Sequence, residues 1–347
     1  MAFHVLRLNA ELVAIIRRKI ANDGPQSFAW FMEQALYHPE HGYYSSDRAE
    51  IGRRGDYFTN VSVGPLFGEL LAAQFAEIWE RSGKLDRFTI VEQGAHHGEF
   101  ARDVLGVSQQ GFPEFFGALR YRIVEPFPKL KDRQLQTLRQ FGERVQWRRS
   151  LDELEPFTGI HFSNELLDAM PINLANKLVD LDDDKFVFVD SPIKQITNQS
   201  QLDWIHNLAA RLQRGFVLAI DYGFPRDDFR EVVQVRARQR SLDSPFEQIG
   251  KADITAHVNW SDIAERAEKI GLRVAGFTDQ HHFLTGLIST FPELVENEKS
   301  KRALQTLLHP EMLGRSFQVL ALAKDVDLAT PLSGFKFARD ARKTLGL

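Results

Sequence analysis

The sequence contains no cysteine. This absence excludes disulfide bonds, thiolate zinc sites and a cysteine nucleophile, and it is consistent with a reducing compartment. No apolar run reaches the roughly 18 to 20 residues that a membrane-spanning helix needs. The net charge is only −4 over 347 residues, and no long basic stripe favours a nucleic-acid partner. The sequence therefore predicts a cytoplasmic protein that neither inserts into a membrane nor binds nucleic acid.

The composition, 43% hydrophobic and 26% charged, is sufficient for a large buried core in one large or two modest domains. In the first twenty residues, Leu12, Ile16 and Ile20 recur at helical spacing between charged side chains. This pattern predicts an amphipathic helix rather than a signal peptide. Such apolar stripes near the termini fit either a homodimer face or a core, and the sequence leaves both open.

From Phe88 onward, short apolar segments alternate with helical ones. This rhythm predicts an α/β fold with a doubly wound, mostly parallel, seven-stranded sheet. The predicted strands are 88–91, 121–124, 145–147, 160–163, 216–220, 272–277 and 316–323.

The sequence predicts three regions, the second of which carries two insertions. Residues 1–85 form an N-terminal helical cap with a lid loop, and residues 86–325 form the sheet domain. Two insertions interrupt that domain: 172–205, which contains a β-hairpin, and 224–260, a long irregular excursion. Residues 326–347 are a C-terminal tail.

A glycine-containing loop follows the first predicted strand, and it contains Glu92, Gly94, Ala95, His96 and Gly98. A strand followed by such a loop and by the N-terminus of a helix can bring backbone amides close to a nucleotide-like ligand. The loop is not a G-x-G-x-x-G, and a histidine at its centre would crowd the pyrophosphate of a nicotinamide dinucleotide. S-adenosylmethionine has no phosphate, so two glycines suffice, and the first carboxylate is available for its ammonium group. Both ligand classes stay open on the loop alone.

Carboxylates follow three other predicted strands: Glu125, Glu165 with Asp168, and Asp221. Because the carboxyl ends of parallel strands bind ligands near the switch in strand order, these groups indicate a site. Glu125 suits a ribose clamp, since a carboxylate accepts hydrogen bonds from two vicinal hydroxyls.

Two other chemistries are disfavoured. His96 and His97 have no further ligand at useful spacing, so no metal site is predicted. A serine hydrolase is unsupported because the sequence has no G-x-S-x-G elbow.

Motifs along nearly the whole chain resemble those of the MidA family, which comprises the mitochondrial complex I assembly factor known as an arginine methyltransferase and its bacterial relatives. The motifs are Gly24-Pro25, Phe31-Met32-Glu33, the segments 38–44, 55–59 and 66–70, Val91-Glu92 with its loop, Val124-Glu125, the segment 164–171, Asp221-Tyr222-Gly223, and the segments 252–258, 280–284 and 313–317.

The resemblance implies a class I methyltransferase that uses S-adenosylmethionine on a protein arginine, with a respiratory complex I subunit as one such substrate. Glu165, Asp168 and Asp221 are then the candidate catalytic residues, because carboxylates orient a guanidinium through paired hydrogen bonds. The candidate cofactor-binding residues are Asp56, Tyr57 and Thr59 of the lid, Glu92, Gly94, Ala95, His96, Gly98, Glu125 and Asn164.

The chain departs from the family pattern at three places. Its loop lacks the proline and the middle glycine of Glu-Leu-Gly-Pro-Gly-x-Gly, and Asn60-Val61-Ser62-Val63 replaces Pro-Glu-Ile-Ser. The family's His-Val-Asp-Phe is His257-Val258-Asn259-Trp260. An alternative function is therefore an assembly factor that binds the adenosyl ligand but has weakened catalysis.

Overall fold

The computed structural model describes residues 2–45, 59–229, 232–238 and 240–347. The helices are α1 Ala2–Asp23, α2 Phe28–Tyr37, α3 Leu66–Arg81, α4 Glu99–Gly111, α5 Pro113–Ala118, α6 Pro128–Leu138, α7 Gln199–Arg211, α8 Trp260–Lys269, α9 Gln280–Thr290, α10 Glu298–Leu308 and α11 Ala341–Leu345. The strands are β1 Gln26–Ser27, β2 Phe88–Gln93, β3 Leu119–Val124, β4 Val145–Arg148, β5 Phe157–Asn164, β6 Lys177–Asp182, β7 Lys185–Asp190, β8 Leu212–Phe224, β9 Val233–Ala237, β10 Arg240–Ser241, β11 Asp253–Ala256, β12 Val258–Asn259, β13 Arg273–Asp279 and β14 Phe317–Lys324.

One of two compact units comprises residues 59–166, 204–230 and 258–347 and contains the main sheet. Its strand order is β13-β14-β8-β5-β2-β3-β4, and β12 extends it by pairing with β8. Strand β14 runs antiparallel to both of its neighbours, β13 and β8, and the other pairs in this order are parallel. The predicted doubly wound, mostly parallel sheet is confirmed.

Helices cover the two faces of strand β5. The ring of Phe162 stacks on Phe100 of α4 with centroids 4.3 Å apart. The neighbouring His161 instead meets Trp204 of α7, at 5.5 Å. Because successive side chains of a strand point to opposite faces, α4 and α7 lie on opposite sides of the sheet.

The strand order reverses between β2 and β5. From β2 the chain continues to β3 and β4 on one side, and it then returns to β5 and β8 on the other. In open α/β sheets this switch point is where ligands bind, at the carboxyl ends of the strands. The carboxyl ends of β2, β3, β5 and β8, with the segments that follow them, are therefore the candidate positions for a site.

The second unit comprises residues 1–58, 167–203 and 231–257. It contains helices α1 and α2 and two three-stranded antiparallel sheets, β1-β6-β7 and β10-β9-β11. Its core includes Leu12, Ile16 and Ile20, which are at most 3% exposed, as the apolar stripe predicts. The hairpin β6-β7 matches the predicted one, whereas the excursion predicted as irregular contains β9, β10 and β11.

The two units group the chain differently from the predicted domain division, which stays a prediction. Helix α3, placed in the cap by sequence, clusters with the main sheet because Phe75 packs against Phe100 and Phe162. Among the described helices, none is long and apolar enough to cross a membrane.

Candidate functional site

The loop after β2 turns through three left-handed residues at alternate positions. Gly94 and Gly98 both have φ of 83°, and His96 between them has φ of 45°. Gly98 is the N-cap residue of α4, and a Cβ added there would lie 3.3 Å from Leu138 Cδ1. Glycine at that position therefore meets both a backbone and a packing requirement.

His96 adopts the conformation that a glycine adopts without steric cost. Its carbonyl accepts a hydrogen bond of 2.8 Å from Gln134 Nε2, and its ring stacks on His97 with centroids 3.7 Å apart. A left-handed non-glycine residue costs roughly 1 to 2 kcal/mol. The loop therefore keeps a glycine-type backbone path although its middle glycine is absent.

The histidine pair also has metal-ligand spacing. Ligand atoms of His96, His97 and Glu99 lie within 4.8 Å of one another, in the only such cluster found among the described residues. The guanidinium of Arg133 lies 2.9 Å from His97 Nε2, where its charge competes with a cation. The prediction of no metal stays a prediction.

Glu92, the residue before the loop, is buried in the main unit and only 3% exposed. Tyr121 Oη donates a 2.8 Å hydrogen bond to its carboxyl group. Burial raises the pKa of Glu92 to about 8, and the Tyr121 hydrogen bond opposes this shift. A cationic ligand beside Glu92 would favour its ionised form.

Glu125, immediately after β3, is also buried. One carboxylate oxygen accepts from the Phe127 N–H and the other from Gln134 Nε2, both at 2.9 Å. Burial raises the pKa of Glu125 to about 7. Gln134 also accepts a bond from Trp147 Nε1 at 2.9 Å, so its orientation is fixed. Gln134 thus joins the Glu125 carboxylate to the His96 carbonyl.

A second strained turn follows β5. Glu165 has φ of 53°, and its N–H donates to the Ile220 carbonyl at 3.0 Å. The buried Asp221 carboxylate accepts from the Leu166 N–H at 3.0 Å and from the Tyr222 N–H at 2.8 Å. Asp221 therefore holds the backbone on the carboxyl side of Glu165.

A chain of side-chain amides reaches the same glutamate. Gln280 Nε2 donates to Asn60 Oδ1, and Asn60 Nδ2 donates to Asn164 Oδ1, both at 2.8 Å. Asn164 Nδ2 in turn donates to Glu165 Oε1 at 2.9 Å. Asn60 and Gln280 are fully buried. This chain orients the Asn164 amide so that its donor faces the Glu165 carboxylate.

The other predicted site residues are placed as follows. Ala95 lies buried in the loop, and Thr59 is 5% exposed with its N–H bonded to Ser62 Oγ at 2.9 Å. Asp168 belongs to the other unit, where its carbonyl accepts from the Ala256 N–H at 2.8 Å. Asp56 and Tyr57 lie outside the described residues.

Sequence reasoning missed three residues of these networks: Gln134, Asn60 and Gln280. Gln134 lies on α6 without any motif around it. Asn60 stands within the replaced Pro-Glu-Ile-Ser segment, and Gln280 opens the matched segment 280–284. The family motifs at these two positions were therefore the sequence signals from which Asn60 and Gln280 could have been identified.

The profile of a family of S-adenosyl-L-methionine-dependent methyltransferases matches residues 70–195 and 194–278. The chain belongs to this family. A crystal structure from Burkholderia thailandensis, bound to S-adenosyl-homocysteine, is 28% identical with a TM-score of 0.86, over 98% of each chain. The predicted MidA-family membership and S-adenosylmethionine dependence of this methyltransferase are confirmed.

Two curated relatives of this methyltransferase are similar over most of their length. The human protein arginine methyltransferase NDUFAF7, mitochondrial, is 27% identical over 389 residues, covering 94% of this chain and 85% of the relative. Its Drosophila melanogaster homolog is 25% identical over 379 residues, covering 90% of this chain and 85% of the homolog.

The strand ends of this methyltransferase fit S-adenosylmethionine. Gly94 and Gly98 provide two left-handed turns in the loop after β2, and the buried Glu125 carboxylate follows the neighbouring strand β3. When bound, S-adenosylmethionine supplies an activated methyl group. The chain supplies the surroundings that position it.

Proposed function

We propose that this methyltransferase modifies a guanidinium nitrogen of an arginine side chain in a protein substrate. The observation that carries the proposal is the Glu165 turn, where a carboxylate is fixed by Asn164 on its side chain and by Asp221 on its backbone. The name that the human and fly relatives share, protein arginine methyltransferase, supports this choice of acceptor.

The donor-binding residues in this proposal surround the loop after β2. Glu125 accepts hydrogen bonds from the ribose hydroxyls, and Glu92 balances the charge of the ammonium group. The backbone of Gly94, Ala95, His96 and Gly98 lies against the ligand. Asn164 and the lid residues Thr59, Asp56 and Tyr57 complete the predicted set.

Glu165 orients the acceptor in this proposal. A carboxylate binds a guanidinium through paired hydrogen bonds, and it favours loss of the proton that leaves the attacking nitrogen. Aligning the acceptor nitrogen with the methyl carbon lowers the barrier because the geometry is set before reaction. Asp168 is a second predicted acceptor carboxylate, whereas the contacts of Asp221 suit a positioning role.

The MidA resemblance extends the proposal to a respiratory complex subunit, such as one of complex I, as the protein substrate. The homodimer and the cytoplasmic location stay predictions. The human and fly relatives carry the word mitochondrial in their names, which favours a different compartment for those proteins.

The test is incubation of the purified protein with methyl-labelled S-adenosylmethionine and a lysate of the cells that produce it. We expect label on a protein band, and methylarginine after acid hydrolysis. Label recovered as methyl-lysine after acid hydrolysis, or released from the intact protein as methanol by mild base, would overturn the arginine assignment. Binding of S-adenosylhomocysteine without any label would favour the assembly-factor alternative.

A further inference from the structure

A pocket of about 280 Å³ opens on the face of the main sheet formed by β2, β3 and β4. Paired residues of neighbouring strands share a face, and Arg120 pairs with Thr89, Arg122 with Val91, and Val124 with Arg148. Two arginines of β3 and one of β4 therefore stand side by side. Arg87, just before β2, also lines the pocket.

The connection from β4 to β5, residues 149–156, contains no α-helix that could cover this face, whereas the two preceding connections do contain helices. Helices α4 and α5 link β2 to β3, and α6 links β3 to β4. By contrast, β4 connects to β5 through a single short 3₁₀ turn, Leu151–Glu153. The half-buried Arg120 and Arg122 alternate with the buried Tyr121 and Ile123, so the arginine side of β3 is the side that stays partly open.

The pocket has an excess of positive charge. One carboxylate, Glu155, lines it, and its Oε1 lies 4.0 Å from Arg148 Nη2 with the Glu155 side chain 84% exposed. Within the described part of the chain, no carboxylate forms an ion pair with Arg120 or Arg122. Each of these two arginines instead donates to the carbonyl of the residue before it, at 2.9 and 3.2 Å.

Partly buried guanidinium groups with one exposed counter-charge, Glu155, repel one another and destabilise the protein. Burial and then the neighbouring charge of Arg148 lower the pKa of the Arg122 guanidinium. Stability alone does not favour such a cluster, whereas an anion placed among the guanidinium groups would reverse the penalty.

We propose that this pocket binds a small polyanion through paired guanidinium hydrogen bonds to its phosphate or carboxylate oxygens. Guanidinium groups match both kinds of oxygen pair in geometry. The volume is just below the usual range for small-molecule sites, which favours a compact ligand over a protein segment. The hydroxyl of Thr89 provides a further donor within the pocket lining. This site is separate from the proposed methyl-transfer site, and neither proposal depends on the other.

The test is isothermal titration of the full chain at low salt with pyrophosphate in one arm and citrate in the other. We expect saturable binding of at least one probe, weakened about tenfold or more in Arg122→Gln because charge-assisted hydrogen bonds are lost. Whichever probe binds more tightly identifies the phosphate or the carboxylate class. Arg139→Gln, an exposed arginine outside the pocket, is the matched control and should bind as the wild type does.

Thermal unfolding separates a binding role from a structural one. Without anions, Arg122→Gln should unfold at the wild-type temperature or above it, since it removes repulsion. With anions, the melting temperature should rise more in the wild type than in the variant. The proposal is overturned if neither probe binds, if Arg122→Gln binds as tightly as the wild type, or if a polyglutamate peptide binds while both small anions do not. Affinity for S-adenosylhomocysteine, measured in parallel, should be equal in all three proteins.

Discussion

The turns after β2 and after β5 both place a non-glycine residue in the left-handed region, but they are stabilised differently. At His96, the side-chain amide of Gln134 donates to the backbone carbonyl, and Gly94 and Gly98 stand two positions away on either side. At Glu165, the backbone of the turn is held by the Ile220 carbonyl and the Asp221 carboxylate, and the side chain by Asn164.

This difference indicates a division of labour. Strained residues persist where surrounding contacts over-determine them, and such places are often functional. The β2 turn fixes a backbone path, as suits a loop that surrounds a ligand. The β5 turn fixes one carboxylate, as suits a group that meets the reacting atom.

The largest expected effect is on the rate of methyl transfer, and it follows from a substitution in the turn after β5. Glu165→Gln keeps the shape of the side chain but removes its charge, so methyl transfer should fall about 10²- to 10⁴-fold, as for loss of an acid-base group. Initial-rate kinetics with saturating S-adenosylmethionine provide the measurement. Affinity for S-adenosylhomocysteine should stay unchanged, and a parallel loss of affinity would contradict the division of labour.

A smaller effect is expected on the stability of the fold, and it comes from Glu92, which precedes the turn after β2. Burial raises the pKa of Glu92 to about 8, so the folded protein holds a proton that the unfolded chain releases near pH 4.5. This proton stabilises the folded state fully below pH 4.5, and the stabilisation is lost as the pH rises through 8. The resulting change in the free energy of unfolding is at most about 5 kcal/mol.

Glu92→Gln removes this titration and keeps an oxygen that accepts from Tyr121. Denaturant unfolding at pH 5 and pH 8.5 should therefore show the variant gaining stability relative to the wild type at the higher pH. A wild-type-minus-variant difference that does not change with pH would show that Glu92 is not buried in its protonated form.

Asp221→Asn should weaken the β5 turn by about 2 kcal/mol, because an amide nitrogen replaces one oxygen that accepts a backbone N–H. Denaturant unfolding measures the loss, and the methyl-transfer rate should fall with it. Asp340→Asn is the matched control, since Asp340 caps α11 at an exposed position and asparagine caps helices equally well. Equal losses in both variants would argue against a special role for Asp221.

The smallest expected effect is a gain at the β2 turn. His96→Gly relieves the left-handed strain and should stabilise the fold by about 1 kcal/mol. His97→Gly, at a neighbouring position without positive φ, should destabilise it instead. Thermal unfolding of both variants tests the contrast, and a loss at both positions would show that the ring stack outweighs backbone strain.

The sequence predicts the sheet well because each buried parallel strand is a short apolar run between helical segments. It also locates Glu92, Glu125 and Glu165 at the carboxyl ends of strands, since each directly ends or follows such a run, and their roles in a site stay predictions. It does not predict the amide chain, because Asn60 and Gln280 meet across 220 positions and no local pattern specifies that pairing. The left-handed conformation of His96 could likewise not be predicted, since a histidine carries no sequence signal for that conformation.

The most direct test of the central claim, that the β2 loop binds the methyl donor despite its histidine centre, is isothermal titration with S-adenosylhomocysteine. The structure predicts saturable binding to the wild type, weakened at least about tenfold by Glu125→Ala through loss of charge-assisted bonds to the ribose. Absence of binding to the wild type, or equal binding to both proteins, would contradict it.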